Sequence, residues 1–381
     1  MKLRWSTEMR LPSPSRGCRS LVHLSVVVIA ACATPRAGGN REVEPIAALP
    51  AGWNQIDGGA GTACALGTPY SFFARPGNPD KLMVYFEGGG ACWNGETCDV
   101  RGRPSFDPQV DSTDHPSRWR GLFDFTRDDN PVKDYTIVVV TYCTGDTFLN
   151  DRARTYTSGP RSREPNRTFE IKHIGALDAQ YVLDWTYAHV RHPGRVFVTG
   201  SSAGAIPSPL YAVQVAKRYP KANVVQLGDA AGGYRSAEVA PNLFRSGAAE
   251  RLRRDRAYRG VDSASLNFEM LYIVSAREAP RASFAQYNNV EDSVQAGFLR
   301  ALGEERVDLA PLLRANLSDI RRAVPRLRSY TAPGAMHTIL QRPQFYTMTV
   351  DGTPFRDWLA AQLDGKRVDN VGESLLRRGT P

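Results

Sequence analysis

The sequence predicts an α/β fold with a mostly parallel central sheet and helices on both faces. Three observations predict it. Tyr135-Thr136-Ile137-Val138-Val139-Val140-Thr141 is β-branched and nearly continuous, as in a strand buried on both faces of a parallel sheet. Short apolar runs alternate with stretches of helical periodicity along the middle of the chain, the pattern of strand–helix–strand units. Hydrophobic residues make up 42% and charged residues 23% of the 381 residues, which suits a globular chain with a sizeable core. Glycine and proline are plentiful but dispersed, and no repeat of solenoid or propeller period is present.

Taken in chain order, residues 1–31 read as a signal peptide. A basic region ends at Arg19, and the apolar run from Leu21 to Ala31 is too short to span a bilayer. Met9 offers a second start that gives a more usual basic region. Ile29-Ala30-Ala31-Cys32 resembles the lipobox of bacterial lipoproteins, which implies cleavage before Cys32 and a lipid on its sulfur. The alternative is a plain cleaved signal in which Cys32 is incidental. Residues 32–49 read as a flexible tether, 50–365 as one folded catalytic domain, and 366–381 as a polar C-terminal tail.

Within the domain, Lys81–Phe86 is a strand stopped by three glycines. Residues 172–191 place Ile174, Leu177, Tyr181, Val182 and Trp185 at helical spacing, and His192-Pro193-Gly194 ends that helix. Val196–Thr199 reads as a strand and 203–218 as a helix. Val224–Leu227, Leu271–Val274 and Leu327–Thr331 read as three later strands. The polar stretches 99–130 and 148–170 read as loops.

The formal net charge is +9, but the leader holds five basic residues and one acid, so the remainder carries +5. Its most basic cluster, Arg251, Arg253, Arg254 and Arg256, reads as a solvated helix face, with weak attraction to acidic polysaccharide as the sharper alternative. Nothing beyond net charge suggests a nucleic-acid partner. After Cys18 and Cys32, four cysteines remain: Cys64, Cys92, Cys98 and Cys143. An even count in an exported chain suggests two disulfides with three possible pairings. Cys92 with Cys98 is the local pair, which would leave Cys64 with Cys143. Their spacing fits no zinc site.

The chemistry centres on Gly200-Ser201-Ser202-Ala203-Gly204, a G-x-S-x-G pattern between a strand and a helix. There a serine sits on a sharp turn between closely packed elements, as in α/β-hydrolase-like folds. Ser202 is the candidate nucleophile, and Ser201, at the x position, should point away. A serine hydroxyl needs a base, and of the six histidines only His337 follows Ser202. The acid should come between them. Asp255 and Asp262 sit in polar, Arg-rich sequence; Asp292 is favoured over Asp229 because it follows the second strand after the nucleophile helix. The glycine run Phe86-Glu87-Gly88-Gly89-Gly90-Ala91-Cys92-Trp93 exposes backbone N–H groups for an oxyanion, with the N–H of Ala203 as the other donor.

These blocks resemble the pectin acetylesterase and Notum-type carboxylesterase family in its bacterial branch. The resemblance rests on Tyr85–Asn94, Tyr142–Asp146, Gly200–Gly204, Gly228–Gly232, Glu291–Gln295 and Ala335–His337, spread from about 52 to 360. It implies Ser202 as nucleophile, Asp292 as acid with Gln295 three residues on, and His337 as base. It implies oxyanion donors at Gly89, Gly90 and Ala203, substrate binding by Trp93 and Asp229, and the disulfides Cys92–Cys98 and Cys64–Cys143. Ala205 departs from the family's usual glycine. Gly90 stands where Notum-type enzymes carry an aromatic, so a fatty-acyl pocket is not indicated. The expected activity is hydrolysis of a small acyl ester, acetyl on a polysaccharide such as pectin, by a monomer needing no metal or organic cofactor. Its partners would be an acylated carbohydrate or other small ester, no nucleic acid, and a membrane only through Cys32. The competing readings are a lipase or protein deacylase of the same fold, and a non-catalytic surface binding lipoprotein.

Overall fold

The structure is a computed structural model that describes residues 44–235, 247–262 and 266–377. The leader, Cys32 and the tether up to residue 43 lie outside the described residues.

An eight-stranded sheet forms the centre. Its strands are β1 (Asn54–Asp57), β2 (Ser71–Arg75), β3 (Asn78–Phe86), β4 (Tyr135–Val140), β7 (Arg195–Ser201), β8 (Asn223–Asp229), β9 (Ser283–Asn289) and β10 (Arg328–Ala332). They lie in the order β1-β2-β4-β3-β7-β8-β9-β10. The six from β4 to β10 are parallel, and β1 and β2 extend one edge antiparallel. A hairpin of β5 (Arg152–Thr157) and β6 (Thr168–His173) stands apart from the sheet.

Alternation along each strand divides the core between the two faces. Leu82, Val84 and Phe86 of β3, with Val138 and Val140 of β4, face one side, where α1 (Gly175–His189), α2 (Ser208–Arg218), α4 (Phe268–Glu278), α5 (Ser293–Ala301) and α6 (Leu309–Ala323) pack. Met83, Tyr85, Ile137 and Val139 face the other, covered by α7 (Phe355–Leu363) and by segments around Leu122–Phe123 and Ile339–Phe345. The remaining helix, α3 (Ala248–Arg254), buries Leu252 and leaves Arg253 and Arg254 exposed, a solvated basic face.

The structure corrects several expectations. Leu271–Val274 is not a strand but the middle of α4, capped at its start by the Asn267 side chain accepting from Met270 N. A four-residue apolar run cannot by itself distinguish a buried strand from a buried helix. The true second strand after the nucleophile helix is β9, Ser-Phe-Ala-Gln-Tyr-Asn-Asn, whose polar residues hid it although six of its seven residues are buried. The stretch 148–170 is not all loop, because β5 lies within it. Residues 366–377 are not a free tail. Val371 pairs with Tyr330 on the open edge of β10, and Leu376 is buried, so two apolar side chains dock the segment where it covers a sheet edge. The tether also ends before residue 49, since Ile46 is buried in the main core.

Both disulfides form in the pairing the resemblance implied. Cys64–Cys143 joins positions 79 residues apart, and Cys92–Cys98 joins positions 6 apart. Cross-linking lowers the entropy of the unfolded chain, more for the longer loop. Replacing Cys64 and Cys143 by alanine should therefore cost about 4 kcal/mol, and replacing Cys92 and Cys98 about 2 kcal/mol. Urea unfolding of the two double variants checks the order.

Candidate active site

Five adjacent parallel strands, β3, β7, β8, β9 and β10, bring the chemical motifs to one edge of the sheet. The glycine loop follows Phe86, Ser202 follows Ser201, Asp229 closes β8, Asp292 follows Asn289, and His337 follows Ala332. This is the carboxyl edge, where parallel sheets place their ligands.

Ser202 opens a 3-10 turn, Ser202–Gly204, immediately after β7. The continuous helix expected from 203 begins instead at Ser208, after Pro207. Ser202 has φ 54°, a left-handed conformation that is costly for any residue but glycine. The glycines around it permit the sharp turn. A Cβ on Gly200 would lie 2.4 Å from Gly204 O, and one on Gly204 would lie 2.1 Å from Phe86 O. The Ala203 N–H sits in the first turn, where helix geometry leaves donors unused.

Ser202 lines a narrow cleft, with a cavity volume of about 20 Å³, together with Gly90, Ala91, Trp93, Thr147, Ala203, Ile206, Tyr234, Phe298 and Leu302. The walls are almost wholly apolar. Trp93 meets Phe298 with ring centres 6.2 Å apart, and Tyr234 meets Phe298 at 6.3 Å. Gly90 reaches the cleft because its φ is 86° and it bridges to Phe106; a Cβ there would sit 1.9 Å from Ser105 O. Gly89 is left-handed at φ 146° and lies against the Tyr142 ring. Glu87, just before the glycines, accepts from Tyr142 N at 3.2 Å. Burial, with the charges of Asp114 and Asp107, pushes its carboxyl well above the usual range.

Asp292 and His337 are brought together, with His337 Nδ1 2.7 Å from Asp292 Oδ2. Asp292 is fully buried and caps α5, its Oδ1 accepting from Val294 N and Gln295 N, each at 3.0 Å. Gln295 Nε2 donates to Asp292 Oδ2 at 3.0 Å, and Gln295 Oε1 accepts from Gly233 N at 2.8 Å. His337 Nε2 is left without a hydrogen-bond partner, so this conformation contains no Ser202–His337 bond. Tyr234 faces Ser202 across the cleft that both line. A histidine held through Nδ1 with Nε2 free is arranged to take a proton at Nε2.

Asp229 does not line the cleft as the resemblance implied. It is fully buried. Its carboxylate accepts from Ser201 Oγ at 2.7 Å, from Ile339 N at 3.1 and 3.0 Å, and from Leu340 N at 3.0 Å. It therefore ties the nucleophile turn to the loop that carries His337. Burial pushes its carboxyl up to about 6, against the opposing pull of these donors and of His337.

Sequence reasoning missed Thr147, Ile206, Tyr234, Phe298 and Leu302. Phe298 and Leu302 were legible in principle, as an i, i+4 pair following the Asp292 cap. Thr147 and Tyr234 lie in loops and offer no such signal. Among the described residues, Cys92, Cys98 and His173 form a group of metal-type side chains, but its two sulfurs are joined to each other.

Residues 54–239 match the family model of the pectinacetylesterases. Over that stretch the chain matches the pectinacetylesterase family. It is a carboxylic ester hydrolase, and small ester or acetylated substrates follow from the family. No curated protein matches the chain at a significant level. The match covers the glycine loop, the Ser202 turn and Tyr234, and ends before Asp292 and His337. The two disulfides indicate an extracellular or periplasmic setting. No helix among the described residues is long and apolar enough to cross a membrane.

Asp229→Asn tests the tie. Its loss should displace His337 and lower kcat on a short ester about 100-fold. In the wild type the folded state holds this proton more tightly than the unfolded chain. The group's stabilising contribution is full below about pH 4 and is lost as pH rises through about 6. The stability difference between wild type and variant should thus shift on the order of 3 kcal/mol in favour of the wild type from pH 7 to pH 3.5. Denaturant titrations at both pH values read it.

Proposed function

We propose that this pectinacetylesterase-family chain hydrolyses short acyl esters, above all acetyl on an acidic polysaccharide such as pectin, through an acyl-serine intermediate. Ser202 attacks the carbonyl as His337 Nε2 takes its proton. The C–O bond to the leaving alcohol breaks, and His337 returns the proton to it. Water then repeats the sequence on the acyl-serine. Asp292 holds the His337 ring and stabilises its charged form. The N–H groups of Gly89, Gly90 and Ala203 receive the oxyanion.

The observation that carries this reading is the cleft itself: a strained serine at the base of a small apolar space closed by Trp93, Tyr234, Phe298 and Leu302. A space of that size suits an acetyl group better than a fatty chain, which disfavours a lipase. A second cleft, lined by Glu96, Asp99, Arg103, Arg161 and Arg163, lies against the Cys92–Cys98 loop that also carries Trp93. Arg161 pairs with Glu96, whereas no ion pair occupies Arg103 or Arg163 among the described residues. Free guanidinium groups beside the ester site suit the carboxylates of a uronate chain.

A chain-length series of p-nitrophenyl esters tests the reaction. Acetate and butyrate should be cleaved, long-chain esters should not, and Ser202→Ala should lose about 10⁴-fold or more in kcat. Equal activity in the variant would show that the nucleophile is another residue. The same series extends to the polymer. Replacing Arg103 and Arg163 by alanine should raise KM on acetylated polyuronate several-fold and leave p-nitrophenyl acetate unchanged.

We also infer that the chain is exported and held at the bacterial envelope through lipidated Cys32. The lipobox-like Ile29-Ala30-Ala31-Cys32 and the two disulfides support it. Cys32→Ala should move the protein from the membrane fraction to the soluble fraction; an unchanged distribution would overturn this inference.

A further inference from the structure

The turn that carries Ser202 also carries a side chain with space on both sides of it. After Ser202–Gly204 the backbone passes through Ala205, Ile206 and Pro207 before α2 begins at Ser208. Residues three apart on a tight helical turn share a face. Ile206 therefore lies beside Ala203, and both line the Ser202 cleft. Ile206 is buried in the main core.

A second cavity, of about 10 Å³, lies on the far side of the turn, against α4, α6 and the ends of β8 and β9. Its lining includes Phe268, Tyr272, Gln286 and Asn316. Among the described residues, Ile206 is the one that lines both this cavity and the Ser202 cleft. Next to it the division is completed by two rings. Tyr234 lines the cleft, Phe268 lines the cavity, and the rings meet edge-on with centroids 6.3 Å apart.

The two spaces differ in chemistry. The cleft walls are almost wholly apolar, whereas the cavity adds a phenol and two amides. Asn316 Nδ2 donates to Glu269 Oε1 at 3.2 Å, and its Oδ1 has no partner. Ile206 is the apolar screen between them. Its backbone is held on the C-terminal side. Ser208 Oγ donates to Ala205 O at 2.7 Å and accepts from Gln226 Nε2 of β8 at 2.8 Å, and Tyr211 N donates to Pro207 O at 3.1 Å. A side chain branched at Cβ has few rotamers, so the screen is stiff.

We propose that Ile206 sets the acyl-chain limit of this esterase. Its side chain stops the acyl group short of the second cavity, and truncating it joins the two spaces and admits medium-length chains. In the wild type a chain longer than a short acyl group meets Ile206 and must displace a packed wall. One methylene in such a pocket changes discrimination by about tenfold or more. Ile206→Ala leaves only the Cβ, so the acyl space runs on toward Tyr272 and Asn316. The added space is finite, so hexanoate gains and palmitate does not.

The inference rests on Ser202 acyl transfer as proposed above, and the test separates the two. kcat/KM is measured for p-nitrophenyl acetate, butyrate, hexanoate and palmitate with wild type, Ile206→Val and Ile206→Ala. The hexanoate-to-acetate ratio should rise about tenfold or more in Ile206→Ala. In Ile206→Val, which removes one methyl, it should rise about fourfold. Each ratio is taken on one preparation, so the fraction of folded protein cancels. Should the alanine variant not fold, the valine variant decides. A ratio unchanged in the folded variants would overturn the proposal, and so would a parallel loss on both esters, which would make Ile206 a support of the nucleophile turn. A gain on palmitate equal to that on hexanoate would also overturn it, by placing the opening elsewhere. Wild type that cleaves no ester would overturn the esterase reading itself.

Discussion

The arrangement at the sheet edge depends on the buried carboxylate of Asp229. The strands that supply Ser202 and His337 are β7 and β10, with β8 and β9 between them. At the usual strand separation that is about 14 Å, too far for a serine–histidine pair. The chain after β10 must therefore fold back across two strands. Asp229, at the end of the intervening β8, captures Ile339 N and Leu340 N of the returning loop and Ser201 Oγ of the nucleophile turn. One carboxylate thus holds both halves of the site, at the cost of burying a charge. Ser201 also gains a reason to sit beside Ser202: it faces inward as the hydroxyl that Asp229 grips.

The same constraint explains the polarity of β9. A strand inside a parallel sheet is usually an apolar run, yet β9 buries Gln286, Asn288 and Asn289. Buried amides are costly unless bonded, and here two of these bind the loops that build the site. Asn288 accepts from Gly232 N, and Asn289 donates to Pro333 O at the start of the His337 loop. Gln295 adds a third link between Asp292 and the Gly233 backbone. Loops of this kind have few side chains of their own to fix them, so the scaffold supplies hydrogen bonds from strand ends and a helix cap.

The disulfide of Cys92 and Cys98 serves the opposite flank. It closes the loop that follows the glycine run and carries Trp93 into the cleft. The segment from Tyr142 to Phe148 packs behind it, with Asp146 accepting from Thr144 Oγ1, Phe148 N and Gly175 N. This holds Thr147 in a left-handed conformation at the cleft wall. A small acyl space is thus bounded by covalent and hydrogen-bonded loops on one side and by Phe298 and the C-cap Leu302 at the end of α5 on the other.

The sequence by itself determined the parallel core strands, because β3, β4 and β7 are apolar runs that need cover on both faces. It also determined the Ser202 turn, because glycines at 200 and 204 are required where a strand doubles back onto its helix. Elimination among the histidines singled out His337, and the structure pairs it with Asp292. The strand that presents Asp292 is β9, whereas the apolar run Leu271–Val274 that resembles a strand in sequence is helical. Only the tertiary structure decided that Asp229 is a clamp and not a cleft residue, that Tyr234 enters the wall of the Ser202 cleft, and that Val371 closes the edge of β10. Each of these depends on a contact between distant segments. A run of residues encodes its own periodicity and turn chemistry, but a buried polar side chain takes its meaning from the partners that folding brings to it.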